Sequence, residues 1–205
     1  MKKIVILMTM SVFIVSAFTL NAQKVKLVSG DPAQLKAEKE ILISFSYDGM
    51  AVGKFDKEDE YTKSKVEEYN KKEAGKGDKW IVAWNNDKKQ KFQPGFETNF
   101  NNFLVNKGIK VSSDFKKAKY TMIVRTVFLE PGFNVGVVRK DASIDIEVTI
   151  IETANPKAEV AKFTVNKIAG GGAAGFDFDS GYRLLKAYEF AGTIVAKYFA
   201  KNVYK

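Results

Sequence analysis

Beyond residue 23 the chain switches between two hydrophobic periods, and the switches divide it into elements. Residues 40–47 alternate strictly, with Ile41, Ile43, Phe45 and Tyr47 on one face and Leu42, Ser44 and Ser46 on the other, as a strand with one buried face requires. Residues 24–28 repeat that pattern over a shorter stretch and run through Ser29-Gly30-Asp31-Pro32 into a connection. Residues 120–129 are apolar on both faces, Tyr120, Met122, Val124 and Phe128 against Ile123, Val127 and Leu129, which predicts an interior strand covered on both sides. Residues 141–150 alternate cleanly, with Ile144, Ile146, Val148 and Ile150 inward and Ser143, Asp145, Glu147 and Thr149 outward. Ala161, Phe163 and Val165 mark a third strand, and the short breaks at residues 130–134 and 152–156 favour an antiparallel meander.

Four stretches have the helical period instead. Residues 56–73 are charged, with Tyr61, Val66 and Tyr69 almost their only apolar positions, so a helix there, capped by Asp56 and stopped at Gly75, buries a narrow stripe. A helix over 78–90 sets Trp80, Ala83 and Trp84 on one face, and Pro94 then forces a break or a new start. Phe96, Phe100, Phe103 and Leu104 follow at helical spacing, with Gly108 placed to end the helix and Ile109 and Val111 placed to begin a strand. Residues 180–201 form the last helix, capped by Ser180, with Leu184, Tyr188, Ala191, Ile194, Val195 and Tyr198 on its apolar face. Helices before and after a run of strands predict an α+β two-layer sandwich, mainly antiparallel, with the helices on one face. The terminal helix is expected to cover Ile144, Ile146, Val148 and Ile150 and to be the main stabiliser of a single domain over residues 23–205, whereas residues 24–35 are expected to add little.

The first 22 residues read as an address. Lys2 and Lys3 precede an uncharged apolar run over residues 4–20, and Asn21-Ala22 offers a small residue for cleavage before Gln23, the pattern of a secretory signal peptide. A single membrane anchor is the rival reading, because the run is just long enough to span a bilayer. Without that segment the formal charge falls from +9 to +7, spread thinly over a Lys-rich chain in which Arg125, Arg139 and Arg183 are the only arginines. Scarce arginine argues against specific nucleic-acid recognition, and mixed charge of this kind most simply keeps a surface solvated. The chain has no Cys and no His. That excludes disulfides, thiolate nucleophiles, Cys-based metal sites, a lipidated cysteine and histidine acid–base chemistry. No cofactor motif is present.

Phe100-Asn101-Asn102-Phe103-Leu104, leading through Gly108 into Ile109-Lys110-Val111 and then Ala118-Lys119-Tyr120-Thr121-Met122-Ile123-Val124, resembles envelope proteins of the curli-secretion-lipoprotein and TolB-N-terminal-like type. The resemblance spans residues 40–202 and carries no diagnostic motif. It implies a noncatalytic envelope role and transfers no functional residue; the lipoprotein trait does not follow, since there is no cysteine to acylate.

Four constellations offer chemistry, each beside a plainer explanation. Gly170-Gly171-Gly172-Ala173-Ala174-Gly175 before the last helix has the glycine content of a phosphate cradle but lacks its Lys-Ser/Thr ending, and Asp177 and Asp179 would repel phosphate; a mobile or close-packing glycine loop explains it better. Asp177, Asp179 and Glu130 are oxygen donors suited to calcium, although their spacing matches no calcium loop and helix capping accounts for the aspartates. Asp145 and Glu147, with Trp80 or Trp84 as a sugar platform, would suit a two-carboxylate glycoside hydrolase, yet any alternating strand yields such a polar row. Arg125 interrupts an apolar strand, and an ion pair with a strand carboxylate is the preferred account. No residue is thereby assigned a catalytic, cofactor or metal role. The sequence points to a noncatalytic exported envelope module, periplasmic or outer-membrane-associated, that binds an envelope protein or glycan. The alternatives are the hydrolase and a weak polyanion-binding surface protein. Contact with membrane is expected only through an uncleaved leader or peripherally.

Overall fold

The computed structural model describes residues 24–135, 138–171 and 179–205; the proposed leader, the Asp177 position and Gly172 to Gly175 lie outside them. Among the described residues nine strands and four α-helices follow one another in the order β1 (Lys26–Gly30), β2 (Glu40–Ser46), β3 (Ala51–Val52), α1 (Glu58–Lys72), α2 (Lys76–Asp87), α3 (Gln93–Leu104), β4 (Lys110–Ser112), β5 (Tyr120–Glu130), β6 (Phe133–Asn134), β7 (Arg139–Lys140), β8 (Ala142–Glu152), β9 (Asn155–Gly170) and α4 (Ser180–Asn202). The main sheet has the strand order β1-β9-β8-β5-β2-β4, with β3 continuing beside β5 beyond β2, while β6 and β7 make a separate ribbon. The meander β5-β8-β9 is antiparallel, as its short connections require. The sheet as a whole is mixed: β2 runs parallel to both β4 and β5, because the three helices between β2 and β4 carry the chain back across the sheet.

This is an α+β domain with α3 and α4 laid on one sheet face. That face presents Ile41, Ile43, Met122, Val124, Ile144, Ile146, Val148, Phe163 and Val165, all essentially inaccessible. Phe96, Phe100 and Leu104 come down from α3, and Leu184, Tyr188, Val195 and Phe199 from α4. Rings interlock across the layers, Phe45 with Phe96 and Phe163 with Phe199, each at 5.8 Å between centroids. Gly192 of α4 sits where a Cβ would stand 2.2 Å from the Phe96 carbonyl oxygen, so the two helices cross with their backbones almost touching.

Several expectations change. Strand β5 is not covered on both sides: the face opposite the helices leaves Ile123 and Arg125 half-buried. A bulge between Thr126 and Phe128 reverses the alternation, turning Leu129 inward and Phe128 outward. Asp179, not Ser180, caps α4 by accepting from the Gly181 N–H at 2.7 Å. Lys57 rather than Asp56 occupies the N-cap of α1, and it contributes no side-chain bond. Ala83 and Phe103 are exposed. Residues 24–35 are more than a lead-in, since β1 pairs with β9 and Leu35 is fully buried. Pro94 does not end the helix: a five-residue π turn over Lys88–Phe92 joins α2 to α3, widening the backbone just where the proline ring would strike a preceding carbonyl.

Candidate functional site

Strands β2 and β3 lie end to end beside β5, and the chain between them leaves the sheet. Met50 N–H bonds the Tyr47 carbonyl at 3.2 Å, and Gly49 adopts φ +68° to close the turn. Ser46 Oγ donates to the Asp48 carboxylate at 2.9 Å, and Arg125 Nε holds the Asp48 carbonyl from β5 at 3.2 Å. Tyr47, Asp48, Gly49 and Met50 thus stand at the carboxyl end of a parallel strand, where open α/β sheets hold their ligands.

Opposite this turn is the α1–α2 hairpin. Gly77 lets α2 approach α1 closely, with a Cβ site 2.3 Å from the Val66 carbonyl oxygen, and the Gly77 N–H donates to Asn70 Oδ1 at 2.7 Å. Inside the hairpin Trp80 and Trp84 stack at 5.5 Å, and Tyr61 contacts both, at 5.9 and 5.3 Å. The hairpin packs Tyr61 and Trp84 into the edge of the core and is tied to the body by Glu58 besides. Glu58, at the first position of α1, accepts from Trp84 Nε1 at 2.5 Å and from Lys88 Nζ at 2.7 Å. Lys88, the first residue of the π turn, also lies 5.0 Å from the centroid of the Tyr47 ring. Between turn and hairpin opens a cleft of about 540 Å³, lined by Tyr47, Asp48, Lys57, Glu58, Asp59 and Lys88 among others.

Behind Tyr47 the side chains are fully buried. Phe92 stacks on Tyr188 at 4.8 Å and 5° between ring planes, and the Tyr188 hydroxyl bonds Thr126 Oγ1 at 2.7 Å. Burial pushes the Tyr47 phenol up to about 12 and that of Tyr188 well above its ordinary value. Both therefore remain neutral at physiological pH. The charged rim is mixed, two ammonium groups against three carboxylates, so the cleft has no strong preference for a polyanion. Carboxylates that accept and ammonium groups that donate suit hydroxyl- and amide-rich polar ligands.

The residues singled out from sequence are not brought together here. Asp145 and Glu147 lie on the sheet face away from the helices. Glu147 is held between Arg125 and Lys162, each at 3.2 Å, and Asp145 accepts from the Lys167 N–H at 2.6 Å, where Lys167 takes φ +56° in a bulge. Arg125 is therefore in the ion pair expected of it. Trp80 and Trp84 pack instead with each other and with Tyr61 in the α1–α2 hairpin. Glu130 accepts from the Gly132 N–H and from Lys140 Nζ, and Asp179 caps α4; among the described residues no cluster of three or more such ligands could hold a metal ion. Gly170 packs against α4, with its Cβ site 2.0 Å from the Arg183 carbonyl oxygen, which is the close-packing role. Burial, reinforced by the charge of Asp114, holds the Glu97 carboxyl above its usual range, but Glu97 is on α3 beside Ser112, outside the cleft.

Sequence reasoning missed Tyr47, Asp48, Glu58 and Lys88. Tyr47 read as a strand residue, and Glu58 as one of many charges on a solvated helix. The signal that was available is Pro94, which demanded an irregularity in the preceding turn, where Lys88 stands.

No protein-family model matches this chain, and no curated protein matches it. Among solved structures it is similar to the PelC dodecamer from Paraburkholderia phytofirmans, crystallised in space group P6, with a TM-score of 0.42 and 14% identity over 89% of this chain and 99% of that one. A point variant of the same dodecamer in space group C2 gives a TM-score of 0.41 and 16% identity with the same coverage.

Proposed function

We propose that this chain is a noncatalytic binding module of the cell envelope, exported through residues 1–22, and that the cleft at the end of β2 receives a neutral or zwitterionic glycan segment. The observation that carries this reading is the half-buried Glu58–Lys88 pair, seated between Trp84 and the Tyr47 ring. It is a preorganised set of polar groups beside the Tyr47 ring, in a chain whose composition leaves few routes to catalysis. The leader and the resemblance to envelope proteins support the location. Among the described residues no helix is long and apolar enough to cross a membrane.

The test is a titration of the chain beginning at Gln23 with neutral oligosaccharides released from bacterial envelopes, followed by the Trp84 indole N–H resonance and by product formation. A saturable shift of that resonance, lost in Glu58→Gln, with no cleavage, is the expected result. Cleavage of a glycoside would replace this reading with the hydrolase, and an unmoved indole across the panel would refute the cleft as a glycan site.

A further inference from the structure

A second groove, of about 570 Å³, runs between the start of β1 and the last turns of α4. Lys24, Lys197 and Lys201 line it with Val25, Ile194 and Tyr198, and no carboxylate contributes to its wall. None of the three lysines is ion-paired with a described residue, in contrast to Lys65, Lys72, Lys88 and Lys186 on the helices elsewhere. The groove continues into apolar surface. Lys197 Nζ lies 5.9 Å from the centroid of the Phe103 ring, which is 42% exposed, and Val105, just past the end of α3, is 58% exposed. Lys107 follows, its Nζ donating to the Tyr204 carbonyl beyond α4. Ammonium groups on flexible stems interleaved with exposed aromatic and aliphatic side chains are what a surface resting on lipid headgroups needs: the lysines reach phosphate while their stems and neighbours cover the acyl boundary.

We infer that this lysine groove is a peripheral docking surface for a bilayer rich in anionic phospholipid. A soluble polyanion would use the lysines equally well but gives no account of Phe103 and Val105. Covalent geometry adds a second reason. Three residues separate the apolar run that ends at Leu20 from Lys24, so the groove cannot lie farther than roughly 14 Å from the end of that run. When the leader is in a membrane the groove is at its surface, and after cleavage before Gln23 a new α-amino charge is added beside Lys24. The choice of lipid over polymer rests partly on the export reading, whereas the binding itself does not.

The test is cosedimentation of the chain beginning at Gln23, which retains every element of the fold, with phosphatidylcholine vesicles and with mixed phosphatidylcholine–phosphatidylglycerol vesicles. Binding is expected only to the mixed vesicles and is expected to weaken with salt. Lys24→Gln/Lys197→Gln/Lys201→Gln should reduce it about a hundredfold, at about fivefold per lysine. Lys63→Gln/Lys71→Gln/Lys79→Gln, which removes the same charge from exposed positions on α1 and α2, should leave it nearly unchanged. Equal loss in both triple variants, or no dependence on phosphatidylglycerol, would overturn the proposal. So would binding to heparin that is lost in the groove triple while vesicles are ignored, which would assign the groove to a polyanionic polymer. A failed glycan titration at the cleft leaves this outcome untouched, because the two surfaces share no residue.

Discussion

Two helix pairs in this molecule are built on the same device and used differently. In α3–α4, Gly192 brings the helices into backbone contact, and the pair then spreads Phe96, Phe100, Leu104, Leu184, Tyr188 and Phe199 over the sheet. In α1–α2, Gly77 does the same for the crossing, but the apolar residues Tyr61, Tyr69, Trp80 and Trp84 turn chiefly toward one another. The first pair is a wall of the core. The second keeps most of its ring contacts within the pair and meets the body at the edge of the core through Tyr61, Trp84, Glu58, Lys88 and the π turn. A crossing glycine fixes how closely two helices pack, while the width of the apolar stripe decides whether the pair can also cover a sheet.

The sharpest way to break the first pair is to remove half of it. Deleting residues 180–205 takes away Leu184, Tyr188, Val195 and Phe199, each worth about 1.5 to 3 kcal/mol of burial against a domain stability of about 5 to 15 kcal/mol. That chain should show no cooperative thermal transition by circular dichroism; a transition near that of the intact chain would contradict the layer assignment.

Alkaline pH should act on the body next. The folded-state phenols of Tyr47 and Tyr188 are raised above the ordinary value of 10.0 by burial, that of Tyr47 to about 12, so the unfolded chain loses these protons first. The Tyr47 contribution is intact below pH 10.0 and is lost as the pH rises toward about 12, and that of Tyr188 is lost in the same direction. Far-ultraviolet ellipticity should therefore fall in step with the appearance of tyrosinate absorbance. Tyr188→Phe should move that transition to higher pH.

The glycines separate the two pairs directly. Gly192→Ala forces α4 away from the Phe96 carbonyl and should cost about 2 to 3 kcal/mol of global stability in a denaturant titration. Gly77→Ala makes the equivalent clash with Val66 and should disturb tryptophan fluorescence while leaving the global midpoint nearly unchanged. The smallest effect is expected from Glu58→Gln, which replaces a carboxylate serving Trp84 and Lys88 and should loosen the hairpin by about 1.5 kcal/mol, read as faster amide exchange in α1 and α2 alone.

The same contrast explains what was legible in the sequence. Elements that face the main core announce themselves, because burial imposes a period: Ile144, Ile146, Val148 and Ile150 on β8 and Phe96, Phe100 and Leu104 on α3 fall as read. Positions set by local geometry do not. The bulge at Val127 that exchanges the faces of Phe128 and Leu129 leaves no mark on hydrophobicity, nor does the excursion between β2 and β3. The parallel pairing of β2 escaped notice because pairing direction depends on where helices return the chain, not on the strand. The cleft was hidden for a further reason. Glu58 and Lys88 are 30 residues apart, each an ordinary charge among many, and only the hairpin's closure makes them partners.

Both tryptophans of the chain, Trp80 and Trp84, reside in α2, so fluorescence watches the appendage while circular dichroism watches the whole molecule. Following one guanidinium titration by both probes tests most directly the claim that a separately held hairpin carries the cleft on a body stabilised by α3 and α4. The fluorescence transition should come at lower denaturant than the ellipticity transition, and Glu58→Gln should widen the gap. Coincident transitions, unmoved relative to each other by that substitution, would show that hairpin and body are one cooperative unit and would contradict the account.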